Sequence, residues 1–275
     1  MCGRYAASRS PEDLVDLFEV RKWDPEEALE PDWNVAPTKS VYAVLDRPEK
    51  GSGDPEPVRQ LRTVRWGLVP GWAKSPEMGA RMINARAETV HEKAAYRKPF
   101  AARRCLLPAD GYFEWVTGDR ELDLEQEGRR KRPRKQPYFV TPADGGVMAM
   151  AGLYEFWRDR TRPDGDPRAW WVTCTVVTTA AETSLLAGAT GEADAAGPQS
   201  LADIHPRMPL MLQPDRWDAW LDPARTDPTD LRTLLAPPPP GSFRAHPVST
   251  DVSNVRNNGP ELVTEIEAPT EPTLF

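Results

Sequence analysis

Proline is the feature of this sequence that most restricts its fold. The chain has 30 prolines in 275 residues, about 11% against a usual level of about 5%. Proline has no backbone N–H and clashes with the preceding turn of a helix, so this density disfavours long helices. The sequence therefore predicts strands, turns and irregular chain, with helices that are few and short.

Composition restricts the class of protein further. Hydrophobic residues make up 39% and charged residues 28%, which is typical of a globular chain. No apolar run approaches the roughly 18 residues of a membrane span, and residues 1–5 carry no secretory pattern, so we expect a cytoplasmic, nucleoid-associated protein. The three widely spaced cysteines argue against a disulfide framework. Neither Cys-x-x-Cys nor His-x-x-x-His occurs, so we expect no metal and no cofactor.

Alternating apolar patterns predict many short strands. The expected strands are residues 3–6, 41–45, 64–69, 105–107, 112–116, 138–140, 147–154, 170–178 and 208–212, with a tight turn at 108–111 and a loop at 46–57. Short helices are expected after the cap Ser10 and at 88–96 and 215–221. These elements predict an α+β fold with curled or barrel-like, mostly antiparallel β-sheets and short peripheral helices. We expect a single domain over residues 1–267 and a flexible tail at 268–275.

Charge is segregated along the chain, although the formal net charge is −7. Residues 59–104 contain 11 basic and 3 acidic side chains, whereas residues 180–203 contain 4 acidic and no basic ones. A basic surface on this acidic protein is therefore expected, and nucleic acid is not excluded as a partner. The charged stretch 119–136 and the acidic stretch 188–200 are predicted surface loops. Residues 129–135 could touch nucleic acid, although a solvated loop is the simpler interpretation.

Cys2 is the most specific chemical feature. Removal of Met1 would leave an α-amine with a pKa of about 7.7–8.0 beside a thiol. Such an amine attacks an aldehyde to give a Schiff base, and the adjacent thiol can close a thiazolidine ring. An internal cysteine lacks the free amine. A small buried residue in the first strand is an equally good interpretation of Cys2 from its position alone.

Two other segments carry candidate acid–base groups. Glu114 follows a tight turn among Tyr112, Phe113 and Trp115, so its carboxylate is expected to be partly buried. A salt bridge with an arginine is the competing interpretation. His205 lies between an isoleucine and a proline beside Arg207, which suits a positioned proton carrier or a structural histidine.

Two segments of the basic region suit nucleic-acid binding. Trp66 and Trp72 bracket a Gly/Pro turn, and exposed aromatic rings among arginines and lysines can stack on bases. Burial in the core is the simpler interpretation for either tryptophan alone. Asn84 and Arg86 are two residues apart, so on an extended segment they face the same side.

Together these segments resemble the SRAP family, the SOS-response-associated peptidases or abasic-site-processing proteins. The matches are MCGRY at 1–5, WNVAPT at 33–38, WGLVPGW at 66–72, NARAET at 84–89, RCLLPADGYFEW at 104–115, AGLYE at 151–155, TCT at 173–175 and HPRMP at 205–209. They occur in family order over nearly the whole chain. Lys39, Trp33 and the longer loops at 119–136 and 188–200 depart from the usual pattern.

The resemblance implies a DNA-damage function. Family members capture abasic sites in single-stranded DNA and at single-strand/double-strand junctions, through a thiazolidine crosslink to the N-terminal cysteine. Exposure of Cys2 by autoproteolysis and a monomeric state are also implied. Carried over, the catalytic residues are Cys2, Glu114, His205 and Asn84. The implied DNA-binding residues are Arg4, Asn34, Pro37, Trp66, Trp72, Arg86 and Arg207.

Two other functions remain open from the residues. An N-terminal-cysteine amidotransferase or glutaminase would also begin with Met-Cys-Gly and would use the thiol against an amide carbonyl. A non-catalytic single-strand-binding module would use the basic region and the tryptophans alone. Adduct formation with abasic DNA, or its absence, separates these alternatives.

Overall fold

The computed structural model describes residues 2–49, 53–117, 135–189 and 197–267. Within these ranges the strands are β1 (Tyr5–Ala7), β2 (Asp32–Val35), β3 (Ser40–Pro48), β4 (Pro57–Trp66), β5 (Asn84–Arg86), β6 (Arg104–Ala109), β7 (Gly111–Thr117), β8 (Lys135–Pro142), β9 (Met148–Arg158), β10 (Trp170–Ala180), β11 (Arg207–Pro209) and β12 (Phe243–Pro247). The helices are α1 (Pro11–Leu17), α2 (Arg97–Ala102), α3 (Leu201–Ile204), α4 (Trp217–Leu221) and α5 (Pro228–Thr233).

Five strands close into a barrel. They pair in the order β9-β10-β4-β3-β6, and β6 pairs back with β9. Every pairing is antiparallel except the β4–β10 contact, where Arg65 and Trp66 lie beside Thr173 and Cys174 in parallel register. The short strand β5 continues along β10 beyond the end of β4, with Asn84 beside Val176. Ring closure removes the exposed edges that an open sheet of this length would present.

The second sheet is antiparallel and has the order β12-β8-β7-β1-β2. One face packs on the barrel in a shared core, which includes Cys2, Tyr5 and Tyr112 from the sheet and Cys105 and Cys174 from the barrel. The other face packs in a smaller cluster with the C-terminal segment, including Phe113, Phe139 and Val252. The sheet therefore holds the N-terminal strand between two apolar layers.

A single residue, Asp110, joins the barrel to the second sheet. Strand β6 ends at Ala109 in the barrel, and β7 begins at Gly111 in the sheet. Gly111 is required there, since an added Cβ would lie 2.4 Å from the Val140 carbonyl oxygen and 2.6 Å from the Phe139 ring. The predicted turn at 108–111 is thus a crossing between two sheets.

The predicted fold class and most of the predicted strands are confirmed. The helix expected after Ser10 is also present, and the Ser10 hydroxyl accepts a hydrogen bond from the Asp13 N–H at 3.1 Å. The predicted strands 3–6 and 208–212 lie within a few residues of β1 and β11, whereas the predicted strand 64–69 overlaps only the end of β4, which begins at Pro57. Pro48 and Pro57 of the expected 46–57 loop belong instead to the paired strands β3 and β4.

The helix predicted at 88–96 was wrong. This segment forms successive turns, and the helix begins only at Arg97. Val90 is buried, and the Tyr96 hydroxyl donates to the Asn84 carbonyl at 3.2 Å, so tertiary contacts hold the segment against β5. Local propensity is overridden in such a setting.

Several short strands and helices were not predicted, because their sequences carry no strong hydrophobic pattern. They are β2, β5, β12, α3 and α5. Most of the 119–136 insertion, residues 190–196 of the acidic loop and the 268–275 tail lie outside the described residues. Among the described helices, none has the length and apolarity to cross a membrane.

The close approach at Gly111 yields a stability prediction. We expect Gly111→Ala to lower the free energy of unfolding by about 1–3 kcal/mol, because the new methyl group overlaps β8. Gly71→Ala is the matched control, since its Cβ would meet only the Phe156 carbonyl oxygen at an ordinary 3.5 Å. Denaturant unfolding monitored by tryptophan fluorescence measures both. Equal stabilities of the two variants would contradict the packing argument.

Candidate active site and nucleic-acid interface

Cys2 lies three residues before the start of β1, in the core between the barrel and the second sheet. It is fully buried, and its Sγ lies 3.9 Å from the Arg4 carbonyl oxygen. Backbone pairing fixes the segment, since the Phe113 N–H donates to that same Arg4 carbonyl at 2.9 Å. Burial raises the pKa of the Cys2 thiol, and the nearby Glu114 carboxylate raises it further. The buried thiol is therefore protonated at neutral pH.

Asn84 fixes the position of Cys2. Its Nδ2 donates to the Cys2 carbonyl oxygen at 2.8 Å. The Asn84 backbone is held by pairing beside Val176 and by the hydroxyl of Tyr96. Burial raises the pKa of Tyr96 to about 12, so this hydroxyl stays a donor at neutral pH. Asn84 Oδ1 is buried and has no hydrogen-bond partner among the described residues, which leaves an acceptor beside Cys2.

Glu114 is close enough to Cys2 to influence its thiol electrostatically. It lies on β7 two residues after Tyr112, opposite Tyr138 of β8, and is 6% exposed. Alternation along the strand turns Glu114 and Tyr112 to the same face. The expected burial of Glu114 is confirmed. The structure thus brings Cys2, Asn84 and Glu114 together.

His205 directly follows α3, which packs against β7. Ser200 and Asp203 form a reciprocal capping box that fixes the start of this helix. His205 Nδ1 lies 3.0 Å from the backbone nitrogen of Arg207 and 3.1 Å from its carbonyl oxygen, so contacts with the Arg207 backbone hold the ring in place. Leu201 and Ile204 of α3 belong to the same buried cluster as Cys2. His205 therefore lies at the border of that cluster.

The residues expected to bind DNA differ widely in exposure. Trp72 is 60% exposed and Arg86 is exposed, whereas Arg4, Pro37 and Arg207 are partly buried. Trp66 is fully buried, stacks edge-on with Tyr5 and donates from Nε1 to the Ile83 carbonyl oxygen. The expectation that Trp66 stacks directly on a base is therefore wrong, because its ring is part of the core. The Trp72 ring is accessible.

Asn34 is also corrected, because its side chain is fully buried. Its Nδ2 lies within hydrogen-bond distance of the carbonyls of Val252, Asn254 and Asn257, at 3.3, 3.0 and 2.9 Å. A direct contact between Asn34 and DNA would require the loss of these bonds. Residues 252–257, here called the C-terminal loop, were missed in the sequence because no periodic pattern marks them.

Arg4 contacts the same loop. Its Nη1 donates to Asn34 Oδ1 at 2.7 Å and to the Val252 carbonyl at 2.9 Å. Its guanidinium also lies over the Trp115 ring at 5.8 Å. Partial burial lowers the pKa of Arg4, and the Asp32 carboxylate opposes that shift. Arg4 thus joins β1 to the C-terminal loop beside the Cys2 cluster.

Arg207 is held by a carboxylate that sequence reasoning did not single out. Glu88 accepts from Arg207 Nη1 at 2.5 Å and from Nη2 at 3.0 Å. Arg207 Nη2 also donates to the Thr178 carbonyl at 2.6 Å. The hydrogen bonds from Arg207 lower the pKa of Glu88, and Arg86 adds to that shift. In the sequence, the only signal for this pairing is that Glu88 follows the NAR segment at 84–86 and Arg207 ends the HPR segment at 205–207.

No group of three or more His, Cys, Asp or Glu side chains that could hold a metal ion is found in the described part of the chain. A separate cleft opens beyond the other end of β1, lined in part by Arg9, Trp33, Asp110, Arg244 and His246. None of the predicted site residues lines that cleft. The predicted site is therefore the buried cluster around Cys2 and its basic surroundings.

Comparison with known proteins decides the family. Residues 1–255 match the family described as SOS response associated peptidase (SRAP). The chain belongs to the SRAP family. It is 34% identical to abasic site processing protein YoqW of Bacillus subtilis, over 96% of this chain and 99% of that protein. It is 30% identical to YedK of Escherichia coli, also named an abasic site processing protein, over 97% and 100% of the two chains.

More distant relatives extend the SRAP match to eukaryotes and to solved structures. Abasic site processing protein HMCES of Xenopus tropicalis is 28% identical, over 97% of this chain and 78% of that protein. A crystal structure of a Bacteroides thetaiotaomicron protein superposes with a TM-score of 0.71 at 23% identity, over 96% of this chain and all of that one. The likeness to that structure supports the fold described above.

The buried position of Asn34 yields a prediction about the C-terminal loop. We expect Asn34→Ala to lower the free energy of unfolding by about 2–3 kcal/mol, because buried carbonyls and Arg4 lose their partner. Limited proteolysis should then cleave the loop faster. Asn258→Ala is the control, since that exposed residue makes comparable bonds to Trp33 and Pro31 at the surface. An unchanged cleavage rate in Asn34→Ala would contradict the structural role.

Proposed function

We propose that this protein captures abasic sites in single-stranded DNA covalently, through Cys2 after removal of Met1. The observation that carries the proposal is the fixed position of Cys2 beside Asn84 and Glu114 in an SRAP-family chain. Relatives over nearly the whole length are named abasic site processing proteins, which supports the substrate class. We place the protein in the DNA damage response, acting as a monomer on strands and junctions.

The chemistry needs the free α-amine of Cys2. Hydrolysis of the Met1–Cys2 peptide bond consumes one water and releases that amine. The amine then adds to the aldehyde of the ring-opened sugar, and loss of water gives the Schiff base. The Cys2 thiol adds across the C=N bond, and its proton passes to the nitrogen as the five-membered ring closes. The sum is one aldehyde plus one aminothiol giving one thiazolidine and one water.

Each step requires a proton at a defined atom. Burial keeps the Cys2 thiol protonated, so ring closure needs a nearby group to accept that proton and return it to nitrogen. Glu114 is the carboxylate placed for this transfer and for the reverse reaction. His205, whose ring is held by the Arg207 backbone, is assigned to the hydroxyl groups of the opened sugar.

Asn84 supplies orientation without titrating. Its Nδ2 holds the Cys2 carbonyl, and its unpartnered Oδ1 can accept from the Cys2 amine or from a sugar hydroxyl. A nucleophile held in this way loses little freedom on reaction, which lowers the entropic part of the barrier. Arg86 and Trp72 are the accessible groups for flanking phosphates and bases, with Arg4, Pro37 and Arg207 at partly buried positions.

The first test of this proposal is covalent capture. Incubation with an abasic single strand should give a species that survives denaturing electrophoresis and adds the strand's mass, less water, to a chain without Met1. Cys2→Ala should abolish the thiazolidine. Cys174→Ala is the control, because Cys174 is an equally buried cysteine of the same core that lacks a terminal amine. A normal adduct with Cys2→Ala, or glutamine hydrolysis without an adduct, would remove the proposed mechanism.

The second test separates the role of Glu114 from binding. We expect Glu114→Gln to slow adduct formation or reversal by about 10²-fold or more, with less than a threefold change in strand affinity. The control is Glu155→Gln, which alters a glutamate that is paired with Arg103 at 2.8 Å. Rates come from time courses of the crosslinked band and of its decay after chase with excess competitor. Equal losses of rate and affinity would make Glu114 a structural residue.

A further inference from the structure

Glu88 forms an ion pair with the two terminal nitrogens of Arg207, which are the groups that would bind a phosphate. The two carboxylate oxygens face the two terminal nitrogens of the guanidinium at 2.5 and 3.0 Å, in the bidentate arrangement that a phosphate would also adopt. The Thr178 carbonyl takes a further bond from Nη2 at 2.6 Å. The Arg207 side chain is 18% exposed and that of Glu88 is 51% exposed. The carboxylate therefore lies on the solvent side of this ion pair.

The pair lies within the region assigned to DNA. Arg86 ends β5, two residues before Glu88 in the following turn, and is close enough to influence its carboxylate. Arg207 is two residues after His205, and its N–H holds the His205 ring. One carboxylate thus lies between two arginines that the family resemblance assigns to flanking phosphates. A phosphate can reach the guanidinium of Arg207 only if Glu88 moves away.

We propose that Glu88 is a built-in competitor for the phosphates of a bound strand. This inference rests on the proposed function and defines how its site is regulated. With Glu88 in place, Arg207 adds little to the affinity for intact single strands, because each contact must displace an ion pair. Intact strands then dissociate readily, whereas an abasic strand is retained by its covalent bond. Glu88 is on this view a specificity-determining residue, and it does not touch the reacting atoms.

The test is the affinity for an intact single-stranded oligonucleotide, measured against salt concentration. We expect Glu88→Gln to bind at least about fivefold tighter in dilute salt, with a log–log salt slope steeper by about 0.7, the value for one more neutralised phosphate. Glu88→Ala should show the same gain. In Glu88→Gln combined with Arg207→Gln the gain should disappear. If the ion pair were purely structural, its loss would instead weaken the binding of the intact strand.

The control variant is Asp218→Asn. Asp218 is paired with Arg59 at 2.7 Å, and its side chain is 89% exposed. The substitution therefore removes the same charge from an ion pair outside the predicted site. An equal gain in Asp218→Asn, or unchanged or weaker affinity in both Glu88 variants, would overturn the inference. Intact strands carry no aldehyde, so these affinities can be measured even if no adduct forms with abasic strands. Wild-type protein that binds no strand would overturn both proposals.

Discussion

The pairing of β1 with β7 is the interaction on which the site depends. It places Cys2 next to the barrel, because β7 is joined to barrel strand β6 through Asp110 alone. The same pairing sets Glu114 beside the N-terminal segment. Asn84 reaches Cys2 from the barrel side, where β5 extends the edge of β10. Cys2 is thus held where the barrel and the second sheet meet.

The site combines a buried, uncharged cysteine with charged surroundings. The interior favours the neutral thiol of Cys2, whereas the surroundings carry several positively charged arginines. Those arginines are not equally available. Arg86 is exposed, Arg4 is bound to Asn34 and the C-terminal loop, and Arg207 is bound to Glu88. Counting basic residues in the sequence therefore overstates the positive surface around Cys2.

Local patterns predicted local structure well. The cap at Ser10 and the alternation in the strands were sufficient for α1 and for most of the barrel. Closure of the barrel was foreseen only in outline, because the β4–β10 pairing joins residues about a hundred positions apart. The predicted helix at 88–96 failed because tertiary contacts, such as the bond from the Tyr96 hydroxyl to the Asn84 carbonyl of β5, hold the segment in turns.

The candidate site was predicted unevenly. The chemistry open to Cys2 follows from its position in the sequence. Its proximity to Asn84 and Glu114 was expected only from the family resemblance. The burial of Asn34 and Trp66 reversed their expected contact with DNA, since a sequence does not show which side of a strand faces solvent. Glu88 was missed because its partner is 119 residues away.

The bonds from Arg4 and Asn34 to the C-terminal loop have a consequence for biosynthesis. Arg4 is joined to Val252 across 248 positions of the chain. The N-terminal strand consequently lacks part of its final support until Val252 has been translated. A nascent chain on the ribosome thus carries Cys2 without its completed enclosure, which forms only after residues 252–257 have been translated.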